Sequence, residues 1–497
     1  MMTVDLSAVG SFVAGELLAG RDSESITLID PSTEEALCRY HVAEFDHVEL
    51  AVDSAVDGQK AWAKMPLYSR VEVMESFAEK VQRDAQLLAY FDSVSVGRPI
   101  RHTSIECAQL PEVVKFWSGV MRSGSIGKGE RYSVLDNHLT FTSREPLGVV
   151  ASIQPWNGPA ASFIEGVSSI VACGNSVIVK PSEISPLSAL HMAKLFLQSG
   201  APKGLVNVLL GRGDIGAELI KAEKVRGIGF TGSVNSGRAV GSLAGQHIKK
   251  VVLELGGKSP NIVFSDANME QAVLGSLWGI FYNTGQLCCA GTRILVERSA
   301  IDDFVKAIKP KISRINVGNA LDPKTHMGPV ASSKQFDTVN SYLELAKRNR
   351  ANFVCGNGPV SNEAPGAGYF LAPTVLTEVE PDSPIFQEEI FGPVVSVVPF
   401  DSVEEAISLA NETKYGLAAK IWTRDLQKML LVSESLQVGS VWGNSPWVGH
   451  PVLPFGGFKS SGVGSVNGIG SIEAFTQLKT VAIRYSEDWS SLPRWDL

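Results

Sequence analysis

Residues 147–180 read LGVVASIQPWNGPAASFIEGVSSIVACGNSVIVK, and this stretch decides the fold. The apolar run Val149–Ile153 is short enough for a strand, whereas residues 160–172 have the length and spacing of a helix. A second short apolar run follows at residues 176–179. Strand, helix and strand in this order predict two parallel strands with the helix packed against one face.

The alternation of strands and helices continues downstream of this stretch. Apolar runs that predict strands recur at residues 206–210, 228–230 and 251–253, with helical segments from residues 187, 215 and 236. A second α/β unit follows, with strands expected near residues 294–296 and 394–398. We therefore expect an α/β protein with a Rossmann-type parallel sheet. The predicted dinucleotide-binding domain comprises residues 1–127 and 147–256, and the second α/β domain comprises residues 257–460.

Upstream of residue 147 the pattern is mostly helical. Residues 1–24 look like a loose lead-in, residues 26–30 alternate like a short strand, and residues 44–96 and 101–122 have helical spacing.

One segment before residue 147 breaks this helical pattern. Residues 127–144 alternate apolar and polar residues around Asp136-Asn137, which predicts a β-hairpin. Residues 479–483 would add a C-terminal strand, so residues 128–146 and 476–497 are expected to form a small β flap. Since free strand edges invite pairing, we expect a homodimer or homotetramer.

The composition argues against several classes of protein. A chain of 497 residues with 44% hydrophobic and 19% charged residues is globular and long enough for more than one domain. Its net charge of −8, without a basic stripe, argues against a nucleic-acid partner. The six cysteines include no C-x-x-C pair and the eight histidines show no ligand spacing, so we expect no disulfide framework and no metal. The N-terminus resembles neither a signal peptide nor a membrane span, and we expect a cytoplasmic protein.

Three motifs indicate chemistry. Residues 283–291, NTGQLCCAG, place Cys288 in a short polar stretch bounded by glycine, where a thiolate can be accessible. Glu254 ends a β-branched run beside two glycines, and Asn157 lies between two prolines. A lone cysteine is more often a small buried apolar residue. A nucleophile, a base and an amide donor on Gly- or Pro-rich loops together predict a covalent catalyst.

With these motifs the chain resembles the aldehyde dehydrogenase superfamily. Further matching motifs are Val179-Lys-Pro-Ser-Glu183, Gly229-Phe-Thr-Gly-Ser233, Glu388-Glu-Ile-Phe-Gly-Pro393 and Pro454-Phe-Gly-Gly457. The resemblance runs from about residue 25 nearly to the C-terminus, and it implies an aldehyde-dehydrogenase-like fold in which residues 257–460 are the catalytic domain. In this family the hairpin and the terminal strand pair subunits.

The resemblance also implies a mechanism. The Cys288 thiolate attacks an aldehyde, and the Asn157 amide with the Cys288 backbone N–H holds the oxyanion. Hydride passes to the cofactor, and Glu254 activates the water that hydrolyses the resulting thioester. Cys289 is expected to be a structural neighbour.

The cofactor implied by the resemblance is NAD. Ser233 would contact the pyrophosphate, although alone it would pass for a helix N-cap. Lys180 and Glu183 would bind the adenosine ribose, where a carboxylate favours NAD over NADP. Glu389 and Phe391 would hold the nicotinamide ribose and ring. The remaining cofactor positions are Ile153, Pro155, Trp156, Ser182, Gly213, Phe230, Thr231, Gly232, Leu255 and Gly256.

Three positions depart from the family pattern. Gly166 stands where many members have lysine, and Ser465-Val466 stands where many have Arg-Glu. In those relatives the lysine and glutamate can relay the proton of the general base. With both absent here, the sequence leaves open what sets the pKa of Glu254. Lys420-Ile-Trp422 stands where small or aliphatic residues are commoner.

The positions that line the aldehyde tunnel in relatives predict a wide tunnel, because several are small. We expect a bulky aromatic, terpenoid or polycyclic aldehyde. Alternatively, Glu165 could face a cationic amino-aldehyde or accept a hydroxyl group, or it could be a solvated helix residue. The tunnel positions are Gly158, Ala161, Ser162, Glu165, Tyr282, Leu287, Trp447, Gly449 and Phe455.

Two rival functions stay open. A CoA-acylating aldehyde dehydrogenase would pass the acyl group to a thiol, which the intact Glu254 motif argues against. A catalytically inactive relative kept as a binding protein would fit a chain that had lost Cys288, Glu254 or Asn157, and all three are present.

Overall fold

The computed structural model of the chain describes residues 9–18, 24–360 and 368–485. Its strands are β1 (Ser11–Val13), β2 (Glu16–Leu18), β3 (Ser25–Ile29), β4 (Ala36–His41), β5 (Arg131–Tyr132), β6 (His138–Pro146), β7 (Val149–Ile153), β8 (Ser176–Lys180), β9 (Val206–Val208), β10 (Val225–Thr231), β11 (Lys250–Glu254), β12 (Pro260–Val263), β13 (Arg293–Glu297), β14 (Asn352–Cys355), β15 (Thr374–Thr377), β16 (Val394–Phe400), β17 (Ala418–Trp422), β18 (Ser440–Gly443), β19 (Gly462–Val463) and β20 (Thr476–Arg484). Its helices are α1 (Phe45–Lys64), α2 (Leu67–Arg83), α3 (Ala85–Val96), α4 (Ile100–Arg122), α5 (Pro159–Ala172), α6 (Leu187–Gln198), α7 (Gly213–Lys221), α8 (Val234–Gln246), α9 (Met269–Phe281), α10 (Ile301–Ile312), α11 (Ser333–Arg348), α12 (Pro384–Gln387), α13 (Val403–Asn411), α14 (Leu426–Ser435) and α15 (Gly468–Phe475).

The first sheet has eight strands in the order β19-β11-β10-β7-β8-β9-β1-β2. The five strands from β11 to β9 are parallel. All of β8 and nearly all of β7 are buried, which explains their continuous apolar sequences. Pro159 occupies the first turn of α5, where its missing N–H costs no hydrogen bond. The predicted Rossmann-type parallel sheet is confirmed.

Both edges of this sheet differ from the prediction. The lead-in predicted for residues 1–24 is wrong for its described part, because β1 and β2 form a hairpin that extends the sheet beside β9. Phe12 and Val13 are buried there, and this apolar pair secures the strand. At the opposite edge β19 runs antiparallel to β11, so the chain returns to the first sheet after the second one is complete.

The second sheet has seven strands in the order β14-β15-β16-β13-β12-β17-β18. It is parallel except for the edge strand β14, and it contains the two strands predicted near residues 294–296 and 394–398. The predicted second α/β unit is therefore present. The exact division into domains stays a prediction.

The predicted hairpin and terminal strand form a small antiparallel sheet in the order β20-β6-β5. The register joins nine residue pairs between β20 and β6, from Thr476 with Pro146 to Arg484 with His138. Asn137 adopts φ 59°, which suits the predicted turn. The part of the predicted C-terminal segment beyond Tyr485 lies outside the described residues.

The fold brings several loops to one edge. The parallel strands β7, β8, β10 and β11 all end there, because neighbouring parallel strands share their carboxyl edge. The loops that follow these strands carry most of the predicted catalytic and cofactor residues. Within the described residues, no helix is long and apolar enough to cross a membrane.

Candidate active site

The loop that carries Cys288 has an unusual backbone. After α9, Asn283 and Thr284 adopt φ 51° and 58°, a left-handed conformation that side chains disfavour. Buried hydrogen bonds hold the loop in place: the Thr284 hydroxyl donates to the Gly328 carbonyl at 3.0 Å, and the Ala331 N–H donates to Gln286 Oε1 at 2.9 Å. The nucleophile candidate is therefore held on a rigid support.

Asn157 reaches this loop from the first sheet. Its Nδ2 donates to the Gln286 carbonyl at 2.9 Å, and Asn283 Nδ2 donates back to the Asn157 carbonyl at 2.9 Å. The Asn157 amide thus lies beside the backbone two residues before Cys288. Asn283 and Gln286 lie within the motif quoted for Cys288, but their supporting role could not be read from the sequence.

The chain that follows Glu254 passes close to Cys288 at Gly257. A Cβ at Gly257 would collide with the Cys288 carbonyl, so only glycine permits this contact. The Glu254 side chain is 5% exposed. Neither of its carboxylate oxygens has a hydrogen-bond partner among the described residues, and burial raises its pKa well above the ordinary value.

Gly166, one of the departures from the family pattern, lies against two neutral polar side chains. A Cβ at Gly166 would lie 3.2 Å from Ser152 Oγ and 3.5 Å from Gln154 Nε2, and these two side chains hydrogen-bond each other at 3.1 Å. A neutral pair therefore faces the position where relatives carry a lysine. Burial is the cause of the Glu254 pKa shift, with no charged partner contributing.

Cys288 and Cys289 act electrostatically as a pair. The hydrogen bond between their thiols, followed by burial, raises the pKa of Cys288, and Glu389 and Glu254 add to the shift. The same hydrogen bond lowers the pKa of Cys289 to about 7. The first proton therefore leaves the pair, and not either thiol alone.

The predicted adenosine and pyrophosphate positions gather at the carboxyl edge of the first sheet. Lys180 ends β8 and donates to the Pro181 carbonyl at 3.2 Å, while the Glu183 carbonyl accepts the Tyr40 hydroxyl at 2.8 Å. Ser233 caps α8 by accepting the Ser236 N–H at 3.2 Å. The N-terminus of α8 follows the end of β10 and therefore lies at this edge, where its backbone N–H groups can bind an anion.

The predicted nicotinamide positions lie between this edge and Cys288. Glu389 Oε1 accepts the Gly257 N–H at 3.0 Å, and burial raises the Glu389 pKa to about 7. Phe391 adopts φ 56°, and its ring meets the Trp156 ring edge-on at 5.3 Å. Gln335 Nε2 holds this strained turn by donating to the Phe391 carbonyl at 2.8 Å.

The other cofactor positions differ in their surroundings. The side chains of Phe230 and Leu255 are buried in one apolar cluster with Val234, Leu253 and Tyr415, so only their backbones face the edge of the sheet. Gly213 begins α7 and has open space around it. The remaining positions lie at the carboxyl ends of the strands or on the loops that follow them: Ile153, Pro155, Ser182, Thr231, Gly232 and Gly256.

Two glutamates, Glu165 and Glu106, lie near one another at the predicted tunnel wall. The Glu165 side chain is accessible to solvent, yet burial by the surrounding protein raises its pKa to about 7, and Glu106 adds to the shift. Glu106, which the sequence did not single out, accepts the Tyr282 hydroxyl at 3.2 Å and pairs with buried Arg98.

Tyr282 belongs to a stack of aromatic rings at this wall. Its ring stacks on those of His102 and Trp278, with centroids at 4.8 and 4.6 Å. Trp447 is 50% exposed and packs against Gly449, whereas Phe455 is anchored by backbone hydrogen bonds to Val466. Gly158, Ala161 and Ser162 lie at the start of α5, and Leu287 precedes the nucleophile.

The comparisons with known proteins agree with this geometry. The sequence profile of the aldehyde dehydrogenase family matches residues 18–481. The chain is 36% identical over 473 residues to the betaine aldehyde dehydrogenase of Brucella anthropi, covering 95% of this chain and 96% of that protein. It is also 36% identical to the hydroxyisobutyraldehyde dehydrogenase of Mycolicibacterium austroafricanum, covering 97% and 96% of the two chains.

A solved structure shows the same fold. The NAD+ complex of an aldehyde dehydrogenase from Bacillus cereus has a TM-score of 0.93 and 33% identity, with 97% of each chain covered. Together with the family match along nearly the whole sequence, this likeness confirms the predicted family and enzyme class. The chain belongs to the aldehyde dehydrogenase family.

Proposed function

We propose that the chain oxidises a cationic amino-aldehyde to the carboxylic acid, with NAD as the electron acceptor and Cys288 as the nucleophile. The observation that carries the substrate class is the accessible, desolvated Glu165 carboxylate beside Glu106 and an aromatic stack. A carboxylate and aromatic faces together attract a quaternary ammonium group. A relative named for betaine aldehyde, which carries such a group, supports this choice.

The loops at the carboxyl edge of the first sheet fit NAD. The helix N-terminus at Ser233 suits a pyrophosphate, and Glu183 would repel a 2′-phosphate. Gly256 leaves room for the Glu389 carboxylate, because a Cβ there would collide with it. NAD, when bound, supplies the hydride acceptor that converts the tetrahedral adduct into a thioester.

The chain's own residues perform the remaining steps. The Cys288 thiol first loses its proton; its thiolate sulfur then bonds to the aldehyde carbon as the C=O π bond breaks, and the carbonyl oxygen becomes an oxyanion near the Asn157 amide. A donor of this kind stabilises such a transition state by about 3–4 kcal/mol. After the thioester forms, Glu254 takes a proton from water, whose oxygen attacks the acyl carbon and releases the acid and the Cys288 thiol. A buried, unpaired carboxylate with a raised pKa suits this role.

Glu165→Gln is expected to lower the preference for a cationic aldehyde. Betaine aldehyde and 3,3-dimethylbutanal are matched in shape and differ in charge, so their ratio of kcat/KM isolates the electrostatic contribution. We expect the ratio to fall about tenfold, the effect of a single charge interaction of roughly 1.4 kcal/mol in a partly shielded site. Because a bound cation favours ionised Glu165, the wild-type ratio should rise as pH increases through about 7.

Glu112→Gln serves as the matched control, because Glu112 is an exposed acid that pairs with Lys115 on α4. It should leave the ratio and its pH dependence unchanged. A ratio near one in the wild-type protein, combined with faster turnover of bulky aromatic aldehydes, would favour the aromatic substrate class and reject the cationic one.

We propose in addition that the small sheet joins subunits into a homodimer or homotetramer. In the described residues β20 has no strand on its outer edge, and Val134, Leu478 and Ile483 are exposed apolar side chains of this unit. Light scattering is expected to give two or four times the chain mass of 53.3 kDa. Ile483→Asp should shift the mass towards one chain, and a wild-type monomer would contradict the proposal.

A further inference from the structure

Lys420 is a buried cation in the second sheet, directly beneath the catalytic loop. It lies in the middle of β17, paired with Asn261 of β12 and Trp442 of β18, and it is 1% exposed. The sequence marked it as a departure from the family pattern without a reason. The mechanism proposed above does not use it.

The Lys420 side chain is directed towards the nucleophile. Its Nζ donates to the Cys289 carbonyl at 2.7 Å and lies 5.1 Å from the centroid of the Trp442 ring. Two glycines leave room for the side chain: a Cβ at Gly279 would lie 3.1 Å from Lys420 Cε, and one at Gly291 would lie 3.4 Å from Nζ. The α9 helix and the catalytic loop thus form a slot around the lysine.

The charge of Lys420 has no carboxylate to balance it among the described residues. Burial lowers its pKa to about 8, and the groups that oppose this shift are the thiols of Cys289 and Cys288. A buried, unbalanced charge is costly and is seldom retained without a counter-charge. The thiol pair can provide that counter-charge once it loses a proton.

We propose that Lys420 is the positioning residue of the nucleophile: its ammonium group braces the loop at the Cys289 carbonyl and stabilises the negative charge shared by the Cys288 and Cys289 thiols. Cys289 then takes part in nucleophile activation as the proton-sharing partner of Cys288. The charged groups that face the thiol pair are Glu254 from β11, Glu389 from the loop after α12, and Lys420 from β17. Both carboxylates oppose the thiolate, so Lys420 is the group that favours it.

The test measures thiol acidity directly. The rate of Cys288 alkylation by iodoacetamide is followed against pH, with the labelled cysteine identified by mass spectrometry. The variants are Lys420→Met, which removes the charge and the donor, and Lys420→Gln, which keeps a donor without the charge. Trp422→Phe is the matched control, because Trp422 lies on the same strand and face as Lys420. The change removes its buried hydrogen bond to Asn261 of β12 and leaves the charge of Lys420 in place. Thermal unfolding confirms that each variant is folded.

Both Lys420 variants are expected to move the alkylation profile to higher pH, with Cys288 labelling at pH 7 about tenfold slower, the equivalent of a shift of one pKa unit. Trp422→Phe should keep the wild-type profile. Wild-type profiles in folded Lys420→Met and Lys420→Gln would overturn the proposal. A wild-type profile in Lys420→Gln alone would overturn its electrostatic part, because a neutral hydrogen-bond donor to the Cys289 carbonyl would then be sufficient. The inference rests on the proposed function, in which Cys288 is the nucleophile. Alkylation measures the ionisation of the Cys288 thiol directly, so its result can be interpreted even if the protein does not oxidise the aldehyde.

Discussion

Replacing Cys288 with serine is expected to abolish aldehyde-dependent NADH release, with a fall in kcat of roughly 10^4-fold or more. A serine hydroxyl is far less acidic than a thiol, so the environment that lets the Cys288 thiol ionise does not produce an alkoxide. The loop itself should survive the change, because Gln286 and Thr284 hold it through bonds that do not involve the thiol. The measurement is NADH formation with betaine aldehyde and a saturating concentration of NAD.

A control variant and a binding measurement distinguish loss of the nucleophile from a general effect of replacing a cysteine and from loss of NAD binding. Cys355→Ser is the matched control, because Cys355 is a partly buried thiol on β14, far along the second sheet from the catalytic loop. It should retain wild-type turnover. NAD binding to the Cys288→Ser protein, followed by fluorescence quenching, should also persist. Undiminished NADH release by the serine variant would reject Cys288 as the nucleophile and reopen the assignment of the whole site.

The fold was predictable from the sequence because its strands are buried on both faces. β7 and β8 appear as continuous apolar runs, and the helix between them has the length that a parallel connection needs. The hairpin and the terminal strand were predictable for the opposite reason, since their alternating patterns differ from the surrounding helices. The β1–β2 hairpin was missed because three-residue strands carry too few side chains to establish a period.

The catalytic residues were predictable because each lies in a short motif whose composition indicates a functional loop. Cys288, Glu254 and Asn157 stand in short Gly- or Pro-rich stretches, and the structure brings those stretches together. Glu106 and Lys420 were not assigned a role, because each reaches the site from an ordinary helix or strand. Their neighbours lie far away in sequence, so only the tertiary structure shows that a helix acid contacts Tyr282 and a strand lysine contacts Cys289.

Glu254 provides the strictest test of how the reaction ends. Relatives with a lysine and a glutamate near the base can pass its proton along, whereas this chain has Gly166 and Val466 and leaves both Glu254 oxygens without a partner in the described residues. Glu254→Gln is therefore expected to permit one equivalent of NADH per active site and then to stall. Steady turnover should fall by about 10^2–10^4-fold, the usual contribution of a general base.

The pH dependence follows from the direction of the Glu254 pKa. Burial raises that pKa well above its ordinary value, so the ionised base is lost as pH falls through a range higher than that of an exposed glutamate. Hydrolysis of a preformed acyl-enzyme, followed by mass spectrometry after a pH jump, should accelerate with increasing pH in the wild-type protein. Its pH profile should become nearly flat in Glu254→Gln.

Glu388→Gln is the matched control for this experiment, because Glu388 is an exposed carboxylate that accepts the Tyr342 hydroxyl at 2.7 Å. It should leave both the turnover and the pH profile of deacylation unchanged. Adding CoA separates the two fates of the thioester. If wild-type protein stalls after one equivalent of NADH and CoA restores turnover, the acyl group leaves on a thiol and water is not the acceptor. If wild-type protein turns over without CoA and only Glu254→Gln stalls, the isolated carboxylate activates water, and burial alone is enough to set its pKa for this role.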